Sequence, residues 1–293
     1  MTVIALNKIV DDCNCPNRKR LARRGSGIAQ FRTVFRKGRI LTFAYFATFH
    51  DHARPALRIA PSELALVLDV VATTPDLRRG LVFTPESTQD PYATVHDGPS
   101  PQLALELYFD RLDQLEKAMA RTGHLQTLAI AKTLPSLAGV EVTQQAMVAR
   151  PFPVPDPQFK TESDGLPCTY LVHYVGQAED LNVWNDYYLN HHPQVMARFP
   201  GIREIEVCTR VDWCGFLPWR RVDYMQRNKV VFDSVAALTA ALNSPVRDEM
   251  RADYKQFPPF TGDNAHFPMA TRDIRPGGKI VTEPRRGTVR MGT

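Results

Sequence analysis

The sequence predicts an α+β fold in which two tandem ferredoxin-like β-α-β-β-α-β modules form an α+β barrel of the dimeric type. Residues 167–274 show the complete pattern, and residues 41–150 repeat its outline in a degenerate form. Between them lie residues 151–166, which begin with four prolines within seven residues. This composition favours an extended linker, so we predict two modules joined by a proline-rich segment.

The elements of the second segment follow from periodicity and capping residues. β-Branched and aromatic runs predict strands at 169–175, 202–211, 224–232 and 265–274. Bulky residues at intervals of three and four predict a helix over 181–199, which ends at Pro200-Gly201. Ser234 is a good N-cap for a second helix, because its hydroxyl accepts a free backbone N–H. Ser244-Pro245 then interrupts and restarts that helix.

The first segment follows the same outline less clearly. Residues 63–73 alternate apolar and other side chains and are predicted to form a strand, as are residues 102–109 and 140–148. An amphipathic helix is predicted around Leu115, directly after the second of these strands. Prolines in the stretch 77–101 argue against a full-length helix there.

The distribution of charge separates the tails from the body of the chain. The formal net charge is +5, but residues 1–40 alone carry ten Lys or Arg against two Asp. Residues 275–293 carry five basic residues against one Glu, so the body is acidic. An acidic body with two basic tails does not resemble a nucleic-acid-binding face. We predict a disordered N-terminal extension, with contact to RNA or lipid headgroups as the alternative.

Cysteine usage and hydropathy indicate a cytoplasmic protein. Five cysteines at irregular spacing do not describe a disulfide framework. No segment is apolar enough to span a bilayer, and no targeting segment is evident. Glycine-rich nucleotide-binding motifs and a Gly-x-Ser-x-Gly elbow are absent from the sequence. We therefore expect a small-molecule substrate, no nucleic-acid or membrane partner, and neither a metal nor an organic cofactor.

Two stretches of the second segment resemble the EthD-like family of the dimeric α+β barrel superfamily. The stretches are Tyr187-Tyr-Leu-Asn-His-His-Pro-Gln-Val-Met-Ala-Arg-Phe-Pro-Gly-Ile202 and Ala237-Leu-Thr-Ala-Ala-Leu-Asn-Ser-Pro245. The family has a histidine eight residues before the proline of a Pro-Gly turn, which corresponds here to His192. The first segment, with Arg79-Gly-Leu-Val-Phe-Thr-Pro85, matches the family only in outline.

The resemblance implies a small, often unsaturated carbonyl substrate and leaves the reaction open. Related folds include muconolactone isomerases, polyketide cyclases, cofactor-free monooxygenases and haem-binding proteins. Tandem chains of this family are similar to proteins that act on ring-opened dienoates during lignin and aromatic compound catabolism. Single modules of the family pair through their sheets, so the barrel is expected to close within one chain or across a homodimer.

The histidine pair His191-His192 is the sharpest local feature. A histidine with a pKa near neutrality can take and give a proton, as isomerisation or ester hydrolysis requires. The alternative is a histidine that bonds free carbonyls at a helix C-terminus. Tyr174 and Glu206 complete the candidate catalytic set. Tyr174 is on the first strand of its segment, and Glu206 is on a polar strand face with Glu204, Cys208 and Arg210.

The candidate substrate-binding residues are Arg210, Arg203, Trp213, Tyr224, Asn228 and His266. A guanidinium matches a substrate carboxylate bidentately, although surface ion pairing is the alternative for Arg203 and Arg210. Trp213 and Tyr224 are in an aromatic-rich loop that suggests a lid or a dimer contact. Cys214 is a weaker candidate nucleophile, and His50-Asp-His52 is a weak metal motif.

These observations favour a cofactor-independent isomerase that acts on a small unsaturated carboxylate. His192 would move the proton, Glu206 would orient or assist it, and an arginine would hold the substrate. One alternative is an esterase or other hydrolase for the same class of metabolite. Others are an oxygenase, haem-dependent or cofactor-free, and a non-enzymatic binding barrel.

Overall fold

The computed structural model describes residues 41–92, 98–162, 165–276 and 279–280. The first half contains four strands: β1 (Thr42–His50), β2 (Arg79–Pro85), β3 (Leu103–Phe109) and β4 (Glu141–Phe152). Helix α1 (Pro61–Ala72) connects β1 to β2, and α2 (Leu112–Ala118) follows β3. Two short 3₁₀ helices, His124–Ala129 and Pro135–Leu137, lead into β4.

The second half has the same order of main elements. Its strands are β5 (Cys168–Tyr174), β6 (Ile202–Arg210), β7 (Arg220–Arg221), β8 (Gln226–Phe232), β9 (Asn264–Arg275) and β10 (Lys279–Ile280). Helix α3 (Leu181–Met196) connects β5 to β6. Helices α4 (Val235–Leu242) and α5 (Val246–Tyr254) connect β8 to β9.

Eight of the strands close into an antiparallel barrel within one chain. The order is β1-β3-β2-β9-β5-β8-β6-β4, and β4 pairs again with β1. The two halves join at β2–β9 and at β4–β6, where Val82 faces Arg272 and Val148 faces Thr209. Closure removes open strand edges from the barrel wall. The barrel is therefore complete without a second copy, and the homodimer stays a prediction.

Strand alternation places one set of side chains inside the barrel and the other under the helices. One apolar cluster draws on seven barrel strands and on no helix, so it fills the interior: Ala44, Phe46, Leu81, Phe83, Ala104, Tyr108, Met147, Ala149, Leu171, Cys208, Phe267 and Met269. The eighth strand, β8, contributes Arg227 and Lys229 to the same space. Helices α1 and α2 pack on the outer face of the first half, and α3, α4 and α5 on that of the second.

One predicted strand is wrong. Residues 63–73 form most of helix α1, in which Val67, Val70 and Val71 are buried while Leu66 is 37% exposed. The apolar residues of this segment fit both a period of two and a helical period. Pro61 at the first helical position and Glu63 in the first turn are helix-start signals that decide between them. Strand β1 and strand β2 were not predicted as strands.

The elements predicted for the second segment are confirmed to within a few residues. Ser234 accepts a hydrogen bond from the backbone N–H of Ala237 at the start of α4, at 3.2 Å. The chain turns at Ser244-Pro245 before α5 begins. Helix α3 begins at the N-cap Asp180 and ends at Met196, three residues before the predicted end.

The predicted boundaries of the modules stay predictions. Strand β4 continues through Phe152, so the first residues of the proline-rich segment pair with β6. The predicted basic extension, residues 1–40, lies outside the described residues, as does most of the predicted basic tail, 275–293. In the part of the chain that the structure describes, no helix is long and apolar enough to cross a membrane.

Candidate active site

A pocket of about 300 Å³ lies between the sheet and the helices of the second half. Its floor is the outer face of β5, β8 and β9, which presents Tyr170, Tyr174, Asn228, Val230 and His266. Its roof is formed by residues of α3, α4 and α5, with Tyr92 from the first half at the margin. The lining is mainly apolar and aromatic with a few polar groups, which is typical of small-molecule sites.

His192 and Asp253 form a hydrogen-bonded pair at this pocket. His192 on α3 is 4% exposed, and its Nδ1 lies 2.6 Å from Oδ2 of Asp253 on α5. The hydroxyl of Tyr187 donates a second hydrogen bond to Asp253 Oδ1 at 3.1 Å. Burial raises the pKa of Asp253, but the contacts with His192 and Tyr187 outweigh it and the net pKa is lowered. The ionised carboxylate therefore accepts from Nδ1–H, which leaves Nε2 as the basic nitrogen.

The imidazole of His192 is neutral at pH 7. Burial lowers its pKa below the usual 6.5, and the hydrogen bond and charge of Asp253 oppose that shift only in part. Two rings hold it in place, because the centroid of Tyr188 lies 4.8 Å away and that of Phe257 4.9 Å away. A neutral imidazole oriented by a carboxylate is suited to accept a proton.

A cluster of aromatic side chains packs against His192 through Phe257. Trp184 is fully buried and packs against Phe260 at 4.6 Å, Phe257 at 5.0 Å and Tyr174 at 5.4 Å between ring centroids. Buried aromatic rings lose little rotamer freedom when they pack, so the cluster forms a rigid wall. Rigidity here preserves the position of the His192 ring.

Asn228 supplies an unsatisfied polar atom at the pocket floor. Its Nδ2 donates to the hydroxyl of Tyr188 at 2.6 Å, and its Oδ1 is buried without a hydrogen-bond partner in the described part of the chain. A buried unpaired acceptor is unfavourable unless a ligand or water donates to it. Asn228 is therefore suited to accept from a hydroxyl group of a bound molecule.

Basic side chains of α5 line the pocket margin. Arg247 is committed to Asp90, to which it donates two hydrogen bonds of 2.7 and 3.2 Å. The guanidinium of Arg251 lies 4.6 Å from the ring centroid of Tyr92. Arg251 and Lys255 have no ion-pair partner among the described residues, so both are available to an anionic group of a ligand.

The structure brings four of the ten candidate site residues to this pocket. They are His192, Tyr174, Asn228 and His266. His191, the neighbour of His192, points away and is exposed, with its Nδ1 2.7 Å from the carbonyl oxygen of Tyr187. This contact corresponds to the alternative considered for the histidine pair, in which a histidine bonds a carbonyl group of its helix. The catalytic role of His192 stays a prediction, now with a partner that the sequence did not indicate.

Glu206 lies inside the barrel, on the other side of the sheet from the pocket. Its carboxylate forms an ion pair with Lys229, and Tyr108 donates to it at 2.8 Å. Lys229 also contacts Glu106 at 3.0 Å and Glu204 at 3.6 Å. Glu206 is thus the ionic partner of Lys229 inside the barrel and does not line the pocket of His192.

The other four candidates make contacts within the protein. Arg203 pairs with Asp233 and Asp156 at 2.8 and 2.7 Å, and Arg210 pairs with Asp223 at 2.8 Å. Both arginines are thus in ion pairs, Arg203 in a buried position and Arg210 in a partly exposed one, and neither lines the pocket. Trp213 lies under the guanidinium of Arg221 at 3.9 Å, and Tyr224 under that of Arg227 at 4.7 Å.

The weaker sequence candidates for metal binding and nucleophilic chemistry gain no support. The rings of His50 and His52 stack with centroids 3.8 Å apart, and His50 Nε2 lies 2.8 Å from the carbonyl oxygen of Pro99. Cys214 is exposed, and slight desolvation together with the charge of Glu116 raises the pKa of its thiol and disfavours the thiolate. Among the described residues, the group with metal-ligand spacing is Glu106, Glu206 and Cys208, where the Lys229 ammonium already lies.

Asp253, Arg251 and Lys255 were missed by the sequence reasoning. All three are on or directly after α5, a helix with many charged residues, where no charge is singled out by spacing. Only the packing of α5 against α3 brings Asp253 to His192. The sequence indicated only His192 of the His192–Asp253 pair. Tyr188 and His192 are four residues apart, which places both on one buried face of α3.

Comparison with solved structures shows the fold. An anthrone oxidase-like protein matches with a TM-score of 0.52 and 10% identity, over 82% of this chain and 94% of that chain. A protein from Fusobacterium nucleatum subsp. nucleatum, named as a monooxygenase, matches with a TM-score of 0.51 and 8% identity, over 82% and 96% of the two chains. Both likenesses show an α+β barrel fold, which here closes within one chain.

An ethyl tert-butyl ether degradation (EthD) family protein from Bacillus halodurans matches with a TM-score of 0.28 and 19% identity, over 34% of this chain and 97% of that chain. A score of this size carries no argument, so the EthD-like resemblance stays a prediction. No protein-family model matches the chain. No curated protein matches it either.

The prediction of a cofactor-independent carboxylate isomerase is wrong. The similar structures carry the names of an anthrone oxidase-like protein and of a monooxygenase. Of the functions considered from the sequence, the oxygenase alternative agrees with these names. The site geometry agrees as well, since Glu206 and the two arginines assigned to the isomerase are not in the pocket.

Proposed function

We propose that the protein is an oxidase or monooxygenase of a small aromatic substrate with an acidic hydrogen, and that the substrate binds in the pocket between the sheet and α3–α5. The observation that carries this proposal is the neutral, carboxylate-oriented His192 at an aromatic-lined pocket of about 300 Å³. The names of the similar structures support the same class of reaction.

Each polar group of the pocket has a role in this reaction. The aromatic body of the substrate packs among the rings of Tyr174 and Tyr188, and a substrate hydroxyl donates to the unpaired Oδ1 of Asn228. Nε2 of His192 then accepts the acidic proton of the substrate. Asp253 stabilises the imidazolium that forms, as a carboxylate does when it is bonded to the other ring nitrogen.

Molecular oxygen is the oxidant of the proposed reaction. An activated aromatic methylene group loses its proton to His192, and the resulting carbanion reduces O₂. The product is a ketone that contains one oxygen atom, and the second oxygen atom leaves as water with the two hydrogens of the methylene. The carbon is oxidised by four electrons and O₂ is reduced by four electrons, so no external reductant is required.

The same pair also suits a haem-dependent route, which is the second candidate. A histidine whose Nδ1–H is bonded to a carboxylate is a common arrangement for a metal-ligating Nε2. Arg251 and Lys255 at the pocket margin are suited to the carboxylates of a porphyrin. Haem would supply one-electron activation of oxygen. Addition of hemin should then give a Soret band shifted from that of free hemin, and His192→Ala should reduce or abolish the shift.

We also propose that the barrel consists of two ferredoxin-like modules within one chain. The strand order is β4-β1-β3-β2 in the first half and β9-β5-β8-β6 in the second, each with helices on its outer face. The two orders correspond strand by strand. This supports a repeat that the sequence, with little residue identity, indicates only weakly. A cytoplasmic location remains part of the proposal.

The test is oxygen uptake with anthrone as the probe substrate, measured with an oxygen electrode for the wild type, His192→Gln and His191→Gln. We expect the His192 variant to lose about 10²- to 10⁴-fold in rate, the usual cost of removing a general base. The adjacent exposed histidine is the matched control and should leave the rate nearly unchanged. Incorporation of ¹⁸O from ¹⁸O₂ into the ketone should accompany uptake. An equal rate of oxygen uptake in all three proteins would contradict the proposed role of His192.

A further inference from the structure

Arg227 is a buried guanidinium that forms no ion pair with a carboxylate in the part of the chain that the structure describes. It projects from β8 into the barrel and is 1% exposed. Its Nη1 lies 3.0 Å from Nε2 of His173, and its Nε lies 3.4 Å from Oε1 of Gln145. Its Nη2 has no hydrogen-bond partner among the described residues. Glu106 and Glu206 line the same small cavity as Arg227, but neither forms an ion pair with it, so within the described ranges its positive charge has no direct counter-ion.

Aromatic rings and a neutral histidine only partly compensate the charge of Arg227. The rings of Phe46 and Tyr224 lie 4.9 and 4.7 Å from its guanidinium carbon. Burial, and then the charge of Arg227, lower the pKa of His173, so His173 accepts a hydrogen bond as a neutral imidazole. Burial lowers the pKa of Arg227 itself to about 10, and it therefore stays charged at pH 7.

The other charges inside the barrel are balanced among themselves. Lys229 is neutralised by Glu206, and burial together with repulsion from Glu206 raises the pKa of Glu106 to about 8 despite its attraction to Lys229. Glu106 is thus protonated at pH 7.

The carboxylates of Glu204 and Asp273 are also paired with basic side chains. Arg79 pairs with both, and Arg275 contacts Asp273. Arg227 differs from these charged side chains because it has no ionic partner among the described residues.

A small cavity adjoins Arg227. It leaves about 10 Å³ for the centre of a water-sized sphere and is lined by Phe46, Leu171, His173, Cys208 and Arg227, with Glu106 and Glu206 among the remaining lining residues. That volume corresponds to about one small bound species. A water molecule there would satisfy the hydrogen bond of Nη2 but not its charge, whereas a buried ion is stable only when it is paired.

We propose that the closed barrel binds one monovalent anion of halide size beside Nη2 of Arg227. Chloride is the probe for this site. The anion supplies the missing counter-charge and the missing hydrogen-bond acceptor together. The site is separated by the sheet from the pocket of His192, so it does not depend on the proposed function.

The first test is a long-wavelength anomalous difference map of wild-type crystals grown in sodium chloride, with a second crystal grown in sodium bromide. We expect one anomalous peak inside the barrel, within hydrogen-bond distance of Nη2, in both maps. A peak in neither map, with ordinary water density or no density at that position, would overturn the proposal. This measurement requires no variant and is decisive even where a variant fails to fold.

The second test is the melting temperature as sodium chloride replaces sodium gluconate at constant ionic strength. A ligand that binds only the folded state raises the melting temperature by roughly 3–5 °C for each tenfold increase above its dissociation constant. The wild type should show this shift and Arg227→Met should not. Arg203→Met is the matched control, because Arg203 is also buried but has carboxylate partners. It should lower the melting temperature and keep the chloride dependence. A wild type without chloride dependence would count against the site.

Discussion

His192 and Asp253 are on different helices, 61 residues apart in the chain, yet Nδ1 of the histidine lies 2.6 Å from Oδ2 of the aspartate. The contact joins α3 to α5 over the pocket. It determines the tautomer of the imidazole and leaves Nε2 as the atom that can accept a proton. The pair is thus both a link between two helices and the chemical centre of the candidate active site.

The pKa of His192 should be lower than usual and should fall further in Asp253→Asn. Burial is the main cause of the lowered pKa, and Asp253 opposes it, so removal of the carboxylate removes the opposing effect. The measurement is an NMR titration of the histidine Cε1–H signals. Asp248→Asn, on the same helix, is the matched control and should leave the titration unchanged. If the neutral imidazole is the base, the catalytic rate should be independent of pH near pH 7 and should decrease as the pH falls through the pKa of His192. A wild-type His192 that titrates above 6.5 would contradict the assignment.

Lys229→Met should destabilise the protein by about 3–5 kcal/mol, since it leaves the buried carboxylate of Glu206 without its counter-ion. Lys229 is 2% exposed and contacts Glu106 and Glu206. Urea unfolding measures the loss. The double variant Lys229→Met/Glu206→Gln removes one uncompensated charge as well, and we expect it to recover part of the free energy of unfolding. A double variant that is less stable than the single one would show that loss of the ion pair is not the main cause of the lower free energy of unfolding.

Stability should fall as pH rises toward 8, because of Glu106. Its pKa is about 8 in the folded state against an ordinary value of 4.5, so the folded protein retains a proton that the unfolded chain has lost. The stabilisation is complete below about 4.5 and is lost as pH rises through 8, with a slope of up to about 1.4 kcal/mol per pH unit.

Glu106→Gln keeps the neutral form at every pH, so its free energy of unfolding should depend less on pH in this window. Glu249→Gln changes an exposed carboxylate and is the matched control. Urea unfolding between pH 5 and 8 distinguishes the variants. Parallel curves for the wild type and the Glu106 variant would rule out a protonated Glu106.

Gly176→Ala should be strongly destabilising. A Cβ atom at this position would lie 1.6 Å from the carbonyl oxygen of Thr261, where two backbone segments cross. The backbone must move, which breaks the neighbouring hydrogen bonds between Gln177 and Thr261, and we expect a loss of about 3 kcal/mol.

Gly201→Ala is the comparison for that variant. Gly201 has a φ of +75°, but no atom lies within 4 Å of the position that a Cβ would take, so only the left-handed backbone opposes the change. We expect a cost of about 1 kcal/mol. Thermal unfolding of both proteins measures the difference, and equal losses would show that the close approach at Gly176 is relieved by the surrounding loop.

Most of the second half was predictable from the sequence, and its site was predictable only in part. Ser234 as an N-cap and the break at Ser244-Pro245 are local effects, so composition and spacing revealed them. His192 was singled out by its position on an apolar helix face. Its partner Asp253 was not, because a carboxylate on a charged helix becomes informative only when another helix packs against it.

The sequence by itself determined which segments form helices and strands in the second half, which residues face each side of a strand, and that His192 belongs to a buried face. These properties depend on neighbours within a few residues. The tertiary structure alone decided that the barrel closes in one chain and that Glu206 meets Lys229 inside it. It also separated the pocket from the barrel interior. Those outcomes depend on contacts between residues far apart in the chain, whose energies no local pattern contains.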